Sequence, residues 1–544
     1  MIEKLNKHYV MVLGILLVAL LFCIPLFINP YHINNDTLFH VSNISVIVEE
    51  IKTNFLNGIT MRIVPNIANN FGYGTRLFYP PLIHTLTSYL AYGLSFFNVS
   101  VIDAMKVMHL LVLFLSGISM YYCAYRFSSN KLLSFIAALI YISSSYHIDE
   151  IYVRDSEAEA LLFAFLPLII TSVKELLEGN KKLFYPLFII GYVGGILSHF
   201  TMMIYFTLIL GVSMLFFYKK VFKKEFLIPF IKATILVLLL TLFFFEPLFE
   251  HKLFGNYRVY QKWVMSLGVQ HTALWGFEYF WFFAKDKIYF YLSIVTITLL
   301  VAFFKYYRNS LKDEKIKLVF LFTCFSLWLS TVYFPWIIMP YTMFMIQFGW
   351  RLVTLVILGV SFIAPMALKD CKNKIIYFIV ILGLIISGFT AIHFASDDIV
   401  DISSLNYVYG MGWQREYLPV DMESNLDYYN SRGQDVVITD GKGSVETTLN
   451  KVPDLEFKVI SDDVVTIEMP RIFYFGYELV REDKDEIPLF SNGNGFLASH
   501  VTSGSYKLKY KGTITYRICM YISLTTLILL LIYVLLKKIK KCQL

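Results

Sequence analysis

Residues 219–248 read KKVFKKEFLIPFIKATILVLLLTLFFFEPL. Four lysines stand within the first six residues, and the run from 228 to 248 then carries only Lys232 and Glu246 as charges. About 20 apolar residues in helical form cross the ~30 Å hydrocarbon layer of a bilayer. Lysine and arginine collect on the cytoplasmic flank of such spans. The stretch therefore reads as a membrane span entered from a basic cytoplasmic loop.

The same pairing recurs in both directions along the chain. Apolar runs fall near 9–29, 80–98, 104–125, 132–148, 157–176, 183–198, 200–218, 228–248, 287–305, 318–336, 351–369, 374–394 and 515–536. Basic flanks at 126–131, 174–182, 219–224, 305–317 and 369–374, and the tail with Lys537, Lys538, Lys540 and Lys541, are assigned to the cytoplasm. The run 9–29 is long enough to span and no small-residue cleavage site follows, so it reads as a retained first span with the N-terminus inside. Both termini inside require an even number of crossings. The segment 80–98 is the weakest candidate, because it opens with Pro80-Pro81 and carries His84. Twelve crossings are predicted, with 80–98 oblique or re-entrant.

The fold class predicted is an α-helical polytopic membrane protein of about 12–13 transmembrane helices, with a small extracytoplasmic, mainly-β domain before the last helix. Composition agrees: the chain is 57% hydrophobic and 16% charged, with a mean hydropathy of +0.61, against about 25% charged in soluble domains. The net charge of +7 sits in short clusters between spans, which argues against a nucleic-acid partner. Region 395–514 changes character, with 20 acidic against 11 basic residues. Alternating runs at Asp435–Thr439, Val452–Val459, Val464–Glu468 and Ser505–Tyr510, divided by turns such as Asn492-Gly493-Asn494-Gly495, predict a β-sandwich. None of the six cysteines lies there, so no disulfide framework is expected. The division predicted is 1–394 as a membrane module, 395–514 as the β domain, and 515–544 as the last helix with a basic tail.

Four outward-facing motifs carry chemistry. Asp36 follows the first span, with His40 one helical turn later; its bland reading is a cap on an amphipathic interfacial helix from Leu38 to Phe55. The segment HIDEIYVRDSEAEALL from His147 to Leu162 brings Arg154, Asp155, Glu157 and Glu159 to the mouth of a span. Ionisable groups there need a partner or water, and the bland reading pairs Arg154 with Glu157 or Glu159. His199, in LSHF, is either a functional group or a histidine at a tight turn. Gln347-Phe348-Gly349-Trp350-Arg351 opens a span with an arginine shaped to fork onto phosphate; a snorkelling anchor is the plain alternative. An acid beside cations on one membrane face suits transfer of a group away from a lipid phosphate.

The stretches DTLFH (Asp36–His40), FGYGTRLFYPPL (Phe71–Leu82), YVRDSEAEALLFAFLPL (Tyr152–Leu168), LSHF (Leu197–Phe200), IQFGWRL (Ile346–Leu352) and REYLP (Arg415–Pro419) run in order over nearly the whole chain. In these the chain resembles bacterial membrane proteins labelled 6-pyruvoyl-tetrahydropterin-synthase-related, which in turn resemble the GT-C superfamily of membrane glycosyltransferases. The family pattern has Pro where this chain has Gly349, and Gly where it has Asp155. The resemblance implies an inverting transferase that takes sugar from a polyprenyl-phosphate carrier outside the cytoplasmic membrane. It makes Asp36 the general base. Arg154 and Arg351 would hold the phosphate, helped by His199 and Arg76. Tyr73, Phe78, Tyr79 and Trp350 would flank isoprenoid and sugar, and His40 and Gln347 complete the substrate-binding set. Glu159 would either orient Arg154 or bind a metal with Asp36. Some relatives need such a divalent cation, Mg or Mn, and others do not. The acceptor class implied is an envelope polysaccharide, teichoic acid or glycolipid, with membrane lipids as surroundings. A flippase for lipid-linked saccharides and a non-catalytic scaffold binding wall polymer are the alternatives. The location implied is the cell membrane, with 395–514 outside.

Overall fold

The computed structural model describes residues 2–29, 31, 36–261, 294–307, 311–339, 346–369, 378, 381–383, 385–386, 411–412, 415–481 and 485–542. The predicted span 374–394 lies mostly outside them. The protein is mostly helical, with a C-terminal β region. Among the described residues six helices are long and apolar enough to cross a membrane: His8–Ile28, Val101–Ser128, Glu157–Leu177, Lys224–Phe254, Gly349–Leu368 and Ile514–Ile539. They mark a multi-pass membrane protein. A seventh candidate is a pair, Lys131–Ile142 and Ser145–Tyr152, bent by 43°, where the sequence predicts one span at 132–148.

The helices used below are α1 (Ile2–Ile28), α2 (Thr37–Thr53), α3 (Leu82–Ser95), α4 (Val101–Ser128), α5 (Lys131–Ile142), α6 (Ser145–Tyr152), α7 (Glu157–Leu177), α8 (Lys181–Ser198), α9 (Phe200–Leu215), α10 (Lys224–Phe254), α11 (Ile294–Tyr307), α12 (Glu314–Leu329), α13 (Val353–Lys369) and α14 (Ile514–Cys542). They fall into two compact units. The first holds Met1–Thr37, Leu94–Val237 and Met265–Ile402; the second holds Leu38–Gly93, Leu238–Val264 and Ser403–Leu544.

In the first unit, helices close on small residues. A Cβ at Gly194 of α8 would sit 2.2 Å from the Phe165 ring of α7, and one at Gly359 of α13 would sit 2.0 Å from Thr323 Oγ1 of α12. Glycine is what lets these helices approach, a recurrent device where lipid removes the hydrophobic drive to associate. Capping fixes the ends: Ser100 accepts from Asp103 N at the start of α4, and Asn130 accepts from Leu133 N at the start of α5. Arg126, from one basic flank, forks onto Glu175 near the end of α7 at 2.9 and 3.1 Å.

These contacts also fix the relative direction of α1 and α4. His8, near the start of α1, bonds Tyr121 near the end of α4 at 2.7 Å, while Tyr31, just after α1, bonds Asp155, which pairs with His109 near the start of α4. The two helices are antiparallel, so the chain leaves α1 and enters α4 at the same end. The described helix of the doubtful segment between them, α3, has 14 residues, short of the ~20 that a span needs.

The second unit is built around two antiparallel sheets. With β1 (Val437–Asp440), β2 (Ser444–Lys451), β3 (Asp454–Ile460), β4 (Val465–Ile472), β5 (Tyr477–Arg481), β6 (Asp485–Ile487), β7 (Phe490–Ser491), β8 (Phe496–Val501) and β9 (Gly504–Tyr510), the orders are β1-β4-β8-β7 and β2-β3-β9-β5-β6. Period-two alternation turns Leu455, Phe457 and Val459 of β3 inward with Tyr506 and Leu508 of β9. The same core takes in Ile63–Phe78. Phe71 packs edge-on against Tyr429 and Phe496, and Phe78 stacks on Tyr417 at 5.1 Å. Tyr73 donates to Met411 O and accepts from Tyr417 N, at 3.0 Å each. Helix α2, expected to lie in the interface, buries Ile44, Ile47, Val48 and Ile51. In α14, the Ser523 hydroxyl accepts from Phe243 N and donates to Leu239 O of α10, bridging a backbone bond inside its neighbour.

Candidate active site

The turn between α6 and α7 carries the site. Val153 and Arg154 both donate backbone N–H to Asp149 O, and Ser156 donates to Glu150 O. Asp155 between them takes φ +53°, a left-handed conformation that glycine adopts freely and aspartate adopts at modest cost. The turn throws Arg154 to one side of the chain and Asp155 to the other.

On the first side, Arg154 Nη1 donates to Tyr146 Oη at 3.2 Å, to Glu159 Oε2 at 3.0 Å and to Glu150 Oε1. Its guanidinium lies 4.4 Å from the Trp350 ring centre, within cation–π range. Burial opposes the Arg154 charge, and Glu150, Tyr146, Glu159 and Asp36 together outweigh it. Glu159 is fully buried and is gripped by Tyr146 Oη at 2.8 Å and Thr354 Oγ1 at 3.4 Å, with Arg351 Nε at 3.5 Å. Arg351 is braced through Nη1 on Ile346 O and Gln347 Oε1 at 3.1 and 3.0 Å. Gln347 takes φ +63°, a left-handed backbone position. The Arg351 guanidinium also lies 5.1 Å from the Phe348 ring centre.

Asp36 joins through the backbone, its N–H donating to Arg154 O at 3.0 Å. It stands immediately before α2, the cap position of its bland reading, and is half-buried. His199 separates α8 from α9, and its Nδ1 accepts from Met202 N as an N-cap. Burial pushes its imidazole down to about 4, Glu159 opposing and Arg351 and Arg154 assisting, so it is neutral near pH 7.

Asp36, Arg154, Glu159, His199, Gln347 and Arg351 thus belong to the first unit. The other three predicted residues belong to the second. His40 bonds His84 at 2.9 Å, Tyr79 stacks on the same ring at 5.3 Å, and Arg76 ties Gly58 O to Thr85 Oγ1. Tyr73 and Phe78, expected to flank a ligand, are buried in that unit's core. The expected alternatives for Arg154 resolve to Glu159 together with Glu150, which sequence reasoning passed over although it stands four residues before Arg154, the spacing of a helical ion pair.

On the second side of the turn lie His109, Asp155 and Glu157, whose ligand atoms all fall within 4.8 Å of one another. His109 Nε2 is 3.2 Å from Asp155 Oδ1, which also accepts from Tyr31 Oη at 2.8 Å. Among the described residues this is the one group of three or more such side chains with the donor set for a metal ion; Glu159, of the predicted pair Asp36 and Glu159, bonds arginine, tyrosine and threonine. His109 and Tyr31 gave no signal in the sequence, because they meet Asp155 only in the fold.

The chain matches no protein-family model, and no curated protein matches it.

Proposed function

We propose that the protein is an inverting membrane glycosyltransferase that uses a polyprenyl-phosphate sugar and acts on an envelope glycan or glycolipid at the outer face. The observation that carries this reading is the backbone bond from Asp36 to Arg154, which couples a carboxylate to a cluster holding two guanidiniums. In the reaction, the acceptor hydroxyl gives its proton to the Asp36 carboxylate while its oxygen attacks the anomeric carbon. The bond from that carbon to the phosphate oxygen breaks on the opposite face, and its electron pair leaves on the polyprenyl phosphate. Arg351, held by Gln347 and backed by Arg154, meets the charge that grows there.

The two departures from the resembling pattern are compatible with this reading. Asp155 occupies a left-handed position, for which the pattern's glycine is suited. Gly349 opens the 3-10 turn Gly349–Leu352, and a first helical position also accepts proline. Of the aromatic residues expected to flank isoprenoid and sugar, Trp350 stands against Arg154 within the first unit.

The test is a purified-protein assay with a radiolabelled polyprenyl-phosphate sugar and isolated cell-envelope glycan. The reading expects labelled glycan and free polyprenyl phosphate in equal amounts. Movement of intact lipid-linked sugar across proteoliposomes without glycosidic transfer supports a flippase instead.

A further inference from the structure

We propose that His109 Nε2 and one carboxylate oxygen each of Asp155 and Glu157 bind a first-row divalent transition metal, Zn2+ or Mn2+, so that the ion belongs to α4 and the turn before α7. The residues that the family resemblance nominates for an ion, Asp36 and Glu159, do not hold it. Ion binding does not depend on which reaction the protein performs.

Proton counting carries the argument. His109 Nδ1 lies 3.0 Å from Met105 O, and a carbonyl oxygen only accepts, so the proton of a neutral ring sits on Nδ1. Nε2 then presents its lone pair toward Asp155 Oδ1 at 3.2 Å. Two acceptors face each other, and only a positive species between them resolves this: a second proton or a metal ion. A proton serves one such contact. Here Glu157 brings a third ligand atom to the same point. A ring that donates Nδ1–H to a backbone carbonyl while turning Nε2 to the centre of a group is the usual posture of a metal-binding histidine.

Geometry and charge agree. Bonds of about 2.0–2.2 Å to one ion set its ligand atoms roughly 3–4 Å apart, close to the span of this group. His109, Asp155 and Glu157 are at most 1% exposed, so an ion held by them is shielded from solvent. One imidazole with two carboxylates suits Zn2+ or Mn2+ above Ca2+ or Mg2+, which favour all-oxygen shells. Tyr31 Oη holds the Asp155 carboxylate in place at 2.8 Å. The ion would pin the strained Asp155 turn, and with it the neighbouring Arg154 on the turn's other side.

The test uses full-length protein in detergent, stripped with chelator and titrated with Mn2+ followed by electron paramagnetic resonance. Wild type is expected to bind one equivalent and to show nitrogen hyperfine coupling from one imidazole, with weaker binding of Mg2+. His109→Gln and Asp155→Asn should each weaken Mn2+ binding at least tenfold, while Asp36→Asn and Glu159→Gln bind as wild type. Bound Mn2+ should raise the melting temperature of wild type but not that of His109→Gln. Absence of Mn2+ binding by stripped wild type overturns the proposal. So does a bound signal without nitrogen coupling, a readout that stands even if the variants fail to fold. Binding lost in Asp36→Asn or Glu159→Gln but kept in His109→Gln places the ion elsewhere and also overturns it. Sugar transfer is not measured, so failure here leaves the transferase reading to its own assay.

Discussion

The backbone N–H of Asp36 donates to the carbonyl oxygen of Arg154 at 3.0 Å. The residue that follows the first span is thereby hung on the turn that precedes α7. The carboxylate proposed as base and the arginine proposed to organise the phosphate share one piece of backbone, and a change in the turn moves both.

Arg351→Lys keeps the charge and loses the fork. A lost charge-assisted hydrogen bond is worth about 1.5–3 kcal/mol, which converts to roughly a ten- to hundredfold loss in kcat/KM for the polyprenyl-phosphate donor. Steady-state kinetics check this, and wild-type values in the variant reduce Arg351 to an anchor.

Arg154→Met should destabilise the fold. It leaves Glu150 and Glu159, both fully buried, without the guanidinium that joins them. Breaking a buried pair from one side costs about 3–5 kcal/mol, seen as a lower melting temperature. Adding Glu150→Gln and Glu159→Gln should restore more than half of the loss. An unchanged melt in Arg154→Met contradicts the charge pairing.

His199 sets a pH dependence. Its folded value of about 4 lies below the ordinary 6.5, so the folded protein holds the neutral ring. As pH falls from 6.5 toward 4, the unfolded chain takes up a proton that the folded chain refuses, and stability drops. Above 6.5 this residue contributes no slope. His199→Gln should flatten the decline in melting temperature across that window; parallel curves for variant and wild type contradict it.

The basic flanks predict sidedness. In intact spheroplasts, added protease should cleave within 415–510, while a tag placed after Leu544 stays protected. Protection of the β region from external protease reverses the orientation and moves every proposed site residue to the cytoplasm.

Much of the architecture was legible because lipid and sheet impose simple periods. Uninterrupted apolar runs became α1, α4, α7, α10, α13 and α14, and alternation in 435–510 became strands. The kink between α5 and α6 was not legible, since Ser143, Ser144 and Ser145 sit inside an otherwise continuous run. The site was legible in part. Arg154, Glu159, Gln347 and Arg351 converge because each stands at the mouth of a helix, a position that hydropathy locates. Glu150 was readable from its spacing to Arg154. His109 and Tyr31 were not, because their contacts to Asp155 cross long stretches of chain. Tyr73 and Phe78 look alike in sequence whether they face a ligand or a core; only the packing of 63–78 with the β-sandwich assigns them to the core.

The central claim rests on Asp36, and Asp36→Asn tests it. Asparagine keeps the shape and caps a helix as well as aspartate does, and the backbone bond to Arg154 is untouched, but it cannot take a proton. Positioned acid–base groups contribute about 10²- to 10⁴-fold. In an assay with a polyprenyl-phosphate sugar, the purified variant should melt with wild type and transfer sugar slower by that factor. A variant that folds normally and transfers at the wild-type rate removes Asp36 from the chemistry and contradicts the account.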